Sequence, residues 1–146
     1  MAYCADTNIP VRWTEPRTEA CEQARTAGKA LRSRGETVYI TPQNIVEFWC
    51  VAIRPTEVNG LGLTADEADV EAGKLEAFFP LLPDTSAIHP GWRTLVVASK
   101  TSGARTHDAR LAAALRVHGV THILTFNVSD FRRFAGLTAV HPSEVP

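Results

Sequence analysis

Four carboxylates stand out in this chain by what surrounds them: Asp6, Glu47, Asp108 and Asp130. Asp6 ends the short run Tyr3-Cys4-Ala5 and so stands where a β-strand would stop. Glu47 is the lone charge between Pro42 and Ile53, in a stretch whose later members include Ile45, Val46, Phe48, Trp49, Cys50 and Val51. A helix apolar on nearly every side is expected to be buried, and a buried carboxylate is costly unless a cation or strong donors meet it. Asp108 precedes Leu111, Ala112 and Leu115 by three, four and seven positions, which continues their core-facing stripe toward the start of a helix. Asp130 lies just past the run Ile123-Leu124-Thr125-Phe126, near what reads as a second strand end.

Each acid also has a plain structural use. Asp6 and Asp130 suit caps or Asx turns, Asp108 suits a first helical turn, and Glu47 could meet an arginine or reach a rim. Four of them at compatible ends of one sheet repel one another unless a cation neutralises them. Hard oxygen ligands without convergent His or Cys select Mg²⁺, or Mn²⁺, over zinc, and such ions assist in-line displacement at phosphorus. The chemistry implied is that of a nuclease or a phosphatase.

Strands and helices in alternation would have to hold these residues. The segment 2–5 reads as a strand, 18–34 as an Ala-rich helix closed by the turn Arg34-Gly35-Glu36, and 37–41 as a second strand. Pro42 opens a helix to about Ile53, Thr64-Ala65-Asp66-Glu67 is a capping-box start for one to about Phe79, and Leu81-Leu82 suits a short edge strand. His89-Pro90 opens a helix stopped near Gly103, and residues 106–117 form the next, stopped by Gly119. Residues 121–126 and 137–140 complete the strands, with a helical turn at 129–134 between them. No tight hairpin signal joins neighbouring strands, so an α/β fold with a parallel sheet covered on both faces is expected. In that architecture ligands bind beyond the strands' carboxyl ends, where Asp6 and Asp130 lie.

Composition is compatible with one domain over residues 1–146: the chain is 45% hydrophobic and 21% charged. No run is long enough for a membrane helix and no basic leader precedes an apolar one, so a cytoplasmic address is expected. Cys4, Cys21 and Cys50 are odd in number, lack C-x-x-C spacing, and read as small core residues. A formal charge of -1 leaves no global basic field, so any nucleic-acid contact must be local.

The motifs Asp6-Thr7-Asn8, Thr41-Pro-Gln-Asn-Ile-Val-Glu-Phe-Trp, Thr106-His-Asp-Ala-Arg-Leu-Ala-Ala-Ala and Thr125-Phe-Asn-Val-Ser-Asp-Phe occur in the order found in the PIN-domain ribonucleases. Across essentially its whole length the chain resembles that family, specifically the VapC-type toxins of bacterial toxin–antitoxin pairs. The resemblance implies a three-layer α/β/α fold with about five strands in the order 3-2-1-4-5, bringing Asp6 and Asp130 together. It also implies Mg²⁺-dependent cleavage of RNA, a homodimer, and a cognate antitoxin as partner. Asp6 and Asp108 would be the principal metal ligands, completed by Glu47 and Asp130, while Thr7, Asn8 and Asn127 would orient ligands or substrate. Arg110 would meet phosphate or remain a surface charge, the second being favoured.

Two rivals differ in class. A haloacid-dehalogenase-type phosphatase expects a second Asp two residues after the first, where this chain has Asn8, and a catalytic lysine for which Lys29, Lys74 and Lys100 have no fitting strand-end setting. An inactive binding module of the same fold has no need to keep all four acids.

Overall fold

The computed structural model describes residues 1–16 and 18–146. Its elements run β1 (Ala2–Ala5), α1 (Asn8–Thr14), α2 (Glu19–Ser33), β2 (Thr37–Tyr39), α3 (Pro42–Ala52), α4 (Ala65–Phe78), α5 (Ile88–Ser99), α6 (Arg105–Val117), β3 (His122–Leu124) and β4 (Thr138–Val140). Short 3-10 turns cover Thr56–Val58, Val128–Phe131 and Pro142–Glu144.

Local chemistry sets most of these boundaries. The Thr18 hydroxyl accepts from the Cys21 amide to start α2. Thr41 and Thr64 each form a full capping box, with Asn44 and Glu67 as the reciprocal partners, to start α3 and α4. Gly35 and Gly119 take φ of 79° and 69° just past α2 and α6, a left-handed step that favours glycine.

All three ladders are parallel and the sheet order is β2-β1-β3-β4. Among the described residues the sheet has four strands, not about five. The expected third strand at Leu81-Leu82 is reduced to one parallel bridge between Ile40 and Leu81, framed by Ile40 N to Pro80 O at 3.0 Å and Leu82 N to Ile40 O at 2.8 Å. The spatial order is therefore as expected, but Pro80 and Pro83 flank the segment and remove the amides a longer ladder would need.

Side chains alternate across the sheet into two cores. Ala5, Val38, Ile40 and Leu124 pack beneath α1–α4 around Ile9, Leu31, Phe48, Leu75 and Phe79. Cys4 and Ile123 face α5 and α6 around Leu95, Leu111, Leu115, Phe131 and Phe134.

The expectation that α3 is buried all round is not met. Val46 is 69% exposed, Ile53 is 46% exposed, and Cys50 is also at the surface, so one stripe of the helix faces solvent while Asn44, Phe48 and Ala52 form the inner face. Cys4 and Cys21 are buried as expected, and Cys50 is not. No helix among the described residues is long and apolar enough to cross a membrane.

A candidate carboxylate site at the carboxyl ends of the strands

The switch point of the sheet lies between β1 and β3, whose paired residues Ala5 and Leu124 hand the chain on to Asp6 and Thr125 side by side. Asp6 is held from several directions. Its Oδ1 accepts from the Thr7 amide at 2.8 Å, and its Oδ2 accepts from the Thr125 hydroxyl at 2.8 Å and the Asn8 amide at 3.1 Å. Asn8 also donates to Thr125 Oγ1 and accepts from the Phe126 amide, which pins the start of α1 to the end of β3.

Despite these donors, burial pushes the Asp6 carboxyl up to about 6, against the bonds from Thr125 and Thr7, and the charges of Asp108 and Glu47 add to the rise. Asp108, half-buried at the start of α6, is also raised to about 6, first by burial and then by Asp130 and Glu47, with Arg105 and His107 opposing. Asp108 forms no side-chain hydrogen bond with the described residues. Asp108 and Glu47 thus both bear on Asp6 through their charge, and Asp130 bears on Asp108.

The expectation that Asp6 and Asp130 meet directly needs amendment. The carboxylates that raise Asp6 most are Asp108 and Glu47, because Thr125 occupies the place beside Asp6 and Asp130 lies five residues on, in the Val128–Phe131 turn. There Arg105 donates to Asp130 Oδ1 at 2.9 Å.

Among the described residues Glu47 finds hydroxyl and amide donors and no arginine. The Thr7 hydroxyl donates to its Oε1 at 2.9 Å, and the Gln43 amide lies at 3.4 Å from the same oxygen. Thr7 is itself the acceptor of an Asn44 Nδ2 bond at 3.1 Å, so its hydroxyl proton is committed to Glu47. Asn44 is wholly buried, and its Oδ1 takes the Thr41 amide and hydroxyl. A directed relay, Asn44 to Thr7 to Glu47, thereby orients the acid from inside the core.

Gln43 also bonds His107 O at 2.7 Å and receives Arg110, clamping α3 to α6 across the cleft. Arg110 is shared between Gln43 and Asp84 at 3.3 and 3.4 Å and is not a free surface charge. Asn127 is exposed at the rim, with its backbone amide donating to Thr125 Oγ1.

Thr125, Asn44, Gln43 and Arg105 are contributors that motif reading misses. The strand-end rule that points to Asp6 would also have pointed to Thr125, one residue past β3. Nothing in the composition of α3 marks Asn44 as more than a cap.

Beside Thr7 and Asn8 a groove of about 610 Å³ runs between α1 and the loop after α3, lined by Val11, Arg12, Val51, Asn59 and Leu61 among others. The Gly-rich segment 58–63 has a role here: the Leu61 and Leu63 amides bond Val51 O and Ala52 O, closing the end of α3 and forming one wall.

The acidic groups offered to the cleft are carboxylate oxygens, and the two that burial destabilises as anions, Asp6 and Asp108, are raised further by acidic neighbours, Asp6 by Asp108 and Glu47 and Asp108 by Asp130 and Glu47. That set fits a hard divalent cation. Among the described residues no three acidic, His or Cys side chains already stand at metal-ligating spacing, so ligation would rest on few direct carboxylates with water completing the shell.

The fold has close counterparts. A VapBC complex from Salmonella typhimurium bound to DNA superposes with a TM-score of 0.71 at 15% identity, over 97% of this chain and 98% of that one. A toxin–antitoxin complex from Klebsiella pneumoniae gives 0.66 at 19% identity, over 98% and 99% of the two chains. A VapC toxin from Mycobacterium tuberculosis that cleaves the sarcin–ricin loop gives 0.56 at 16% identity, over 84% and 87%. No curated protein matches in sequence. The PIN-domain model, however, matches residues 3–137, a span that takes in every strand but the last and all four carboxylates, and the chain accordingly belongs to the PIN-domain family.

Proposed function

We propose that this chain is a Mg²⁺-dependent endoribonuclease, the toxin of a toxin–antitoxin pair acting in the cytoplasm. The observation that carries the reading is that burial and neighbouring acids together push Asp6 and Asp108 each to about 6, on side chains that line one cleft at the carboxyl ends of the strands. Such an arrangement is unfavourable in the folded chain and becomes favourable when a cation is shared between them.

Asp6 and Asp108 would hold the ion, with Glu47 and Asp130 completing the acidic shell directly or through water. The chemistry supplied by such a cation is polarisation of a phosphodiester and activation of water for attack at phosphorus. The protein's part is positioning. Thr125, Asn8 and the Thr7 amide fix both oxygens of Asp6, and the Thr7 hydroxyl fixes Glu47. The Gln43 bridge sets the spacing of α3 from α6, and with it that of Glu47 from Asp108. Thr7, Asn8 and Asn127 line the approach to the cleft, where they can meet substrate.

RNA as substrate and an antitoxin as partner find support in the similar chains: one is a toxin that cleaves the sarcin–ricin loop, and others come from toxin–antitoxin complexes. The test is cleavage of end-labelled RNA by purified protein with and without Mg²⁺. Cleavage that needs Mg²⁺, stops in EDTA and is lost in Asp6→Asn is expected. Cleavage that survives Asp6→Asn, or that persists in excess EDTA, would overturn the assignment, and release of phosphate from a small phosphomonoester without RNA cleavage would favour the phosphatase.

A further inference from the structure

Of the basic side chains around the cleft, Arg12 is paired with Glu15 and Arg110 is shared by Gln43 and Asp84. Arg105 alone among the described residues forms an ion pair with any of the four carboxylates, at 2.9 Å to Asp130. It is the first residue of α6, three before Asp108, and its charge also bears on Asp108. One guanidinium therefore serves two of the acids that a divalent ion would need.

The backbone beneath it is anchored. Trp92 Nε1 donates to Thr106 O at 2.8 Å and the Thr106 hydroxyl to Gly103 O at 2.8 Å, so the first turn of α6 is tied to α5 and to its own loop. The Arg105 side chain is 47% exposed, with room to rotate while its helix stays put. A guanidinium held by a carboxylate also has the charge and fork geometry to grip a phosphate oxygen pair.

We propose that Arg105 is an exchangeable counter-ion and substrate-binding residue: it neutralises Asp130 while the cleft is metal-free, and turns to a backbone phosphate of the RNA once a divalent cation takes over the acids. This rests on the metal-dependent ribonuclease reading above and adds to it a residue outside the acidic motif. It requires that loss of Arg105 move two ligands in opposite directions. Metal should bind more tightly, because a competing cation is gone and Asp130 is released, whereas RNA should bind more weakly.

The experiment compares wild type, Arg105→Gln and Arg105→Lys, with matching thermal melts as the check that each is folded. Mn²⁺ binding without RNA is read by electron paramagnetic resonance. Binding of a fluorescein-labelled single-stranded oligoribonucleotide is read by anisotropy in Ca²⁺ across a series of salt concentrations. Arg105→Gln is expected to bind Mn²⁺ about fivefold more tightly, the scale of an exposed ion pair. Its slope of log affinity against log salt should be shallower by about 0.7, the loss of one single-strand phosphate contact. Arg105→Lys keeps the charge and should restore both values toward wild type. Equal Mn²⁺ affinity in wild type and Arg105→Gln, or both ligands weakened together, overturns the exchange while leaving the metal site intact. Wild type that binds no Mn²⁺ overturns the parent reading and this one with it.

Discussion

Asp108→Asn offers the sharpest test of the electrostatics in the cleft. Unlike Asp6, which accepts from Thr7, Asn8 and Thr125, Asp108 has no side-chain hydrogen bond to lose among the described residues, so the substitution removes charge with little else. Its carboxyl is raised from 3.8 to about 6, chiefly by burial and then by Asp130 and Glu47. The folded protein thus holds a proton there at pH values where the unfolded chain has released it. Linkage then makes the wild type lose stability as pH rises through the interval from about 4 to about 6, with the full penalty present above it. Unscreened, that gap corresponds to about 3 kcal/mol. Asp108 is only half-buried, so water screening reduces the usable part to about 1 to 1.5 kcal/mol. For a domain of this size the variant should melt about 3 to 5 °C above wild type in EDTA at pH 7.5. Near pH 4 the two should coincide. Adding Mg²⁺ should reverse the order, raising the wild type and leaving the variant nearly unmoved. Differential scanning calorimetry over pH reads all of this. A variant that melts below wild type in EDTA at pH 7.5, or a gain that is the same at pH 4 and pH 7.5, would refute the account of Asp108 as an anion penalised by burial and by its acidic neighbours in the metal-free cleft.

The relay and the backbone constraints yield further expectations. Thr7→Val strips Glu47 of its hydroxyl donor and leaves the buried Asn44 amide unpaired, so it should cost about 1 to 2 kcal/mol in urea melts and lower RNA cleavage by about tenfold or more, with Thr7→Ser near wild type in both. Gly60→Ala would place a Cβ 1.8 Å from Arg54 O, which no rotamer relieves; a loss of about 2 kcal/mol or more is expected, read as a lower urea midpoint. Gly28→Val meets Trp13 Cζ3 at 2.7 Å, and that ring is already wedged against Phe78 and Phe79, so a cost of about 1 to 3 kcal/mol with a weakened near-ultraviolet tryptophan signal should follow.

Much of the architecture is legible because punctuation and periodicity agree. Thr41-Pro42 and Thr64 with Glu67 announce helices that start where their caps predict, and the strand-end rule singles out Asp6. Helix α1 is harder to see, since Pro10 interrupts a short polar and apolar mixture, although proline is tolerated in a first turn. The reading of Glu47 arrives at the right residue by an incomplete argument. Apolar composition predicts full burial of α3, yet Val46, Cys50 and Ile53 face outward, and composition alone cannot tell an exposed apolar stripe from a buried one. Thr125, Asn44 and Arg105 stay hidden for another reason. Each has an ordinary local use as strand end, cap or helix start, and their work in the cleft depends on partners 25 to 119 residues away in sequence.

That separation has a consequence for how the protein is made. The central ladder joins Tyr3 to His122 and Ala5 to Leu124, so β1 gains its inner neighbour only when nearly the whole chain exists. Pairings of such long range are slow to form and come late. During synthesis, a chain that has emerged only through α5 already carries Asp6 and Glu47 but lacks Asp108, Thr125 and Asp130. The cleft is thus assembled last, and an incomplete translation product holds half of its acids with no means of bringing them together.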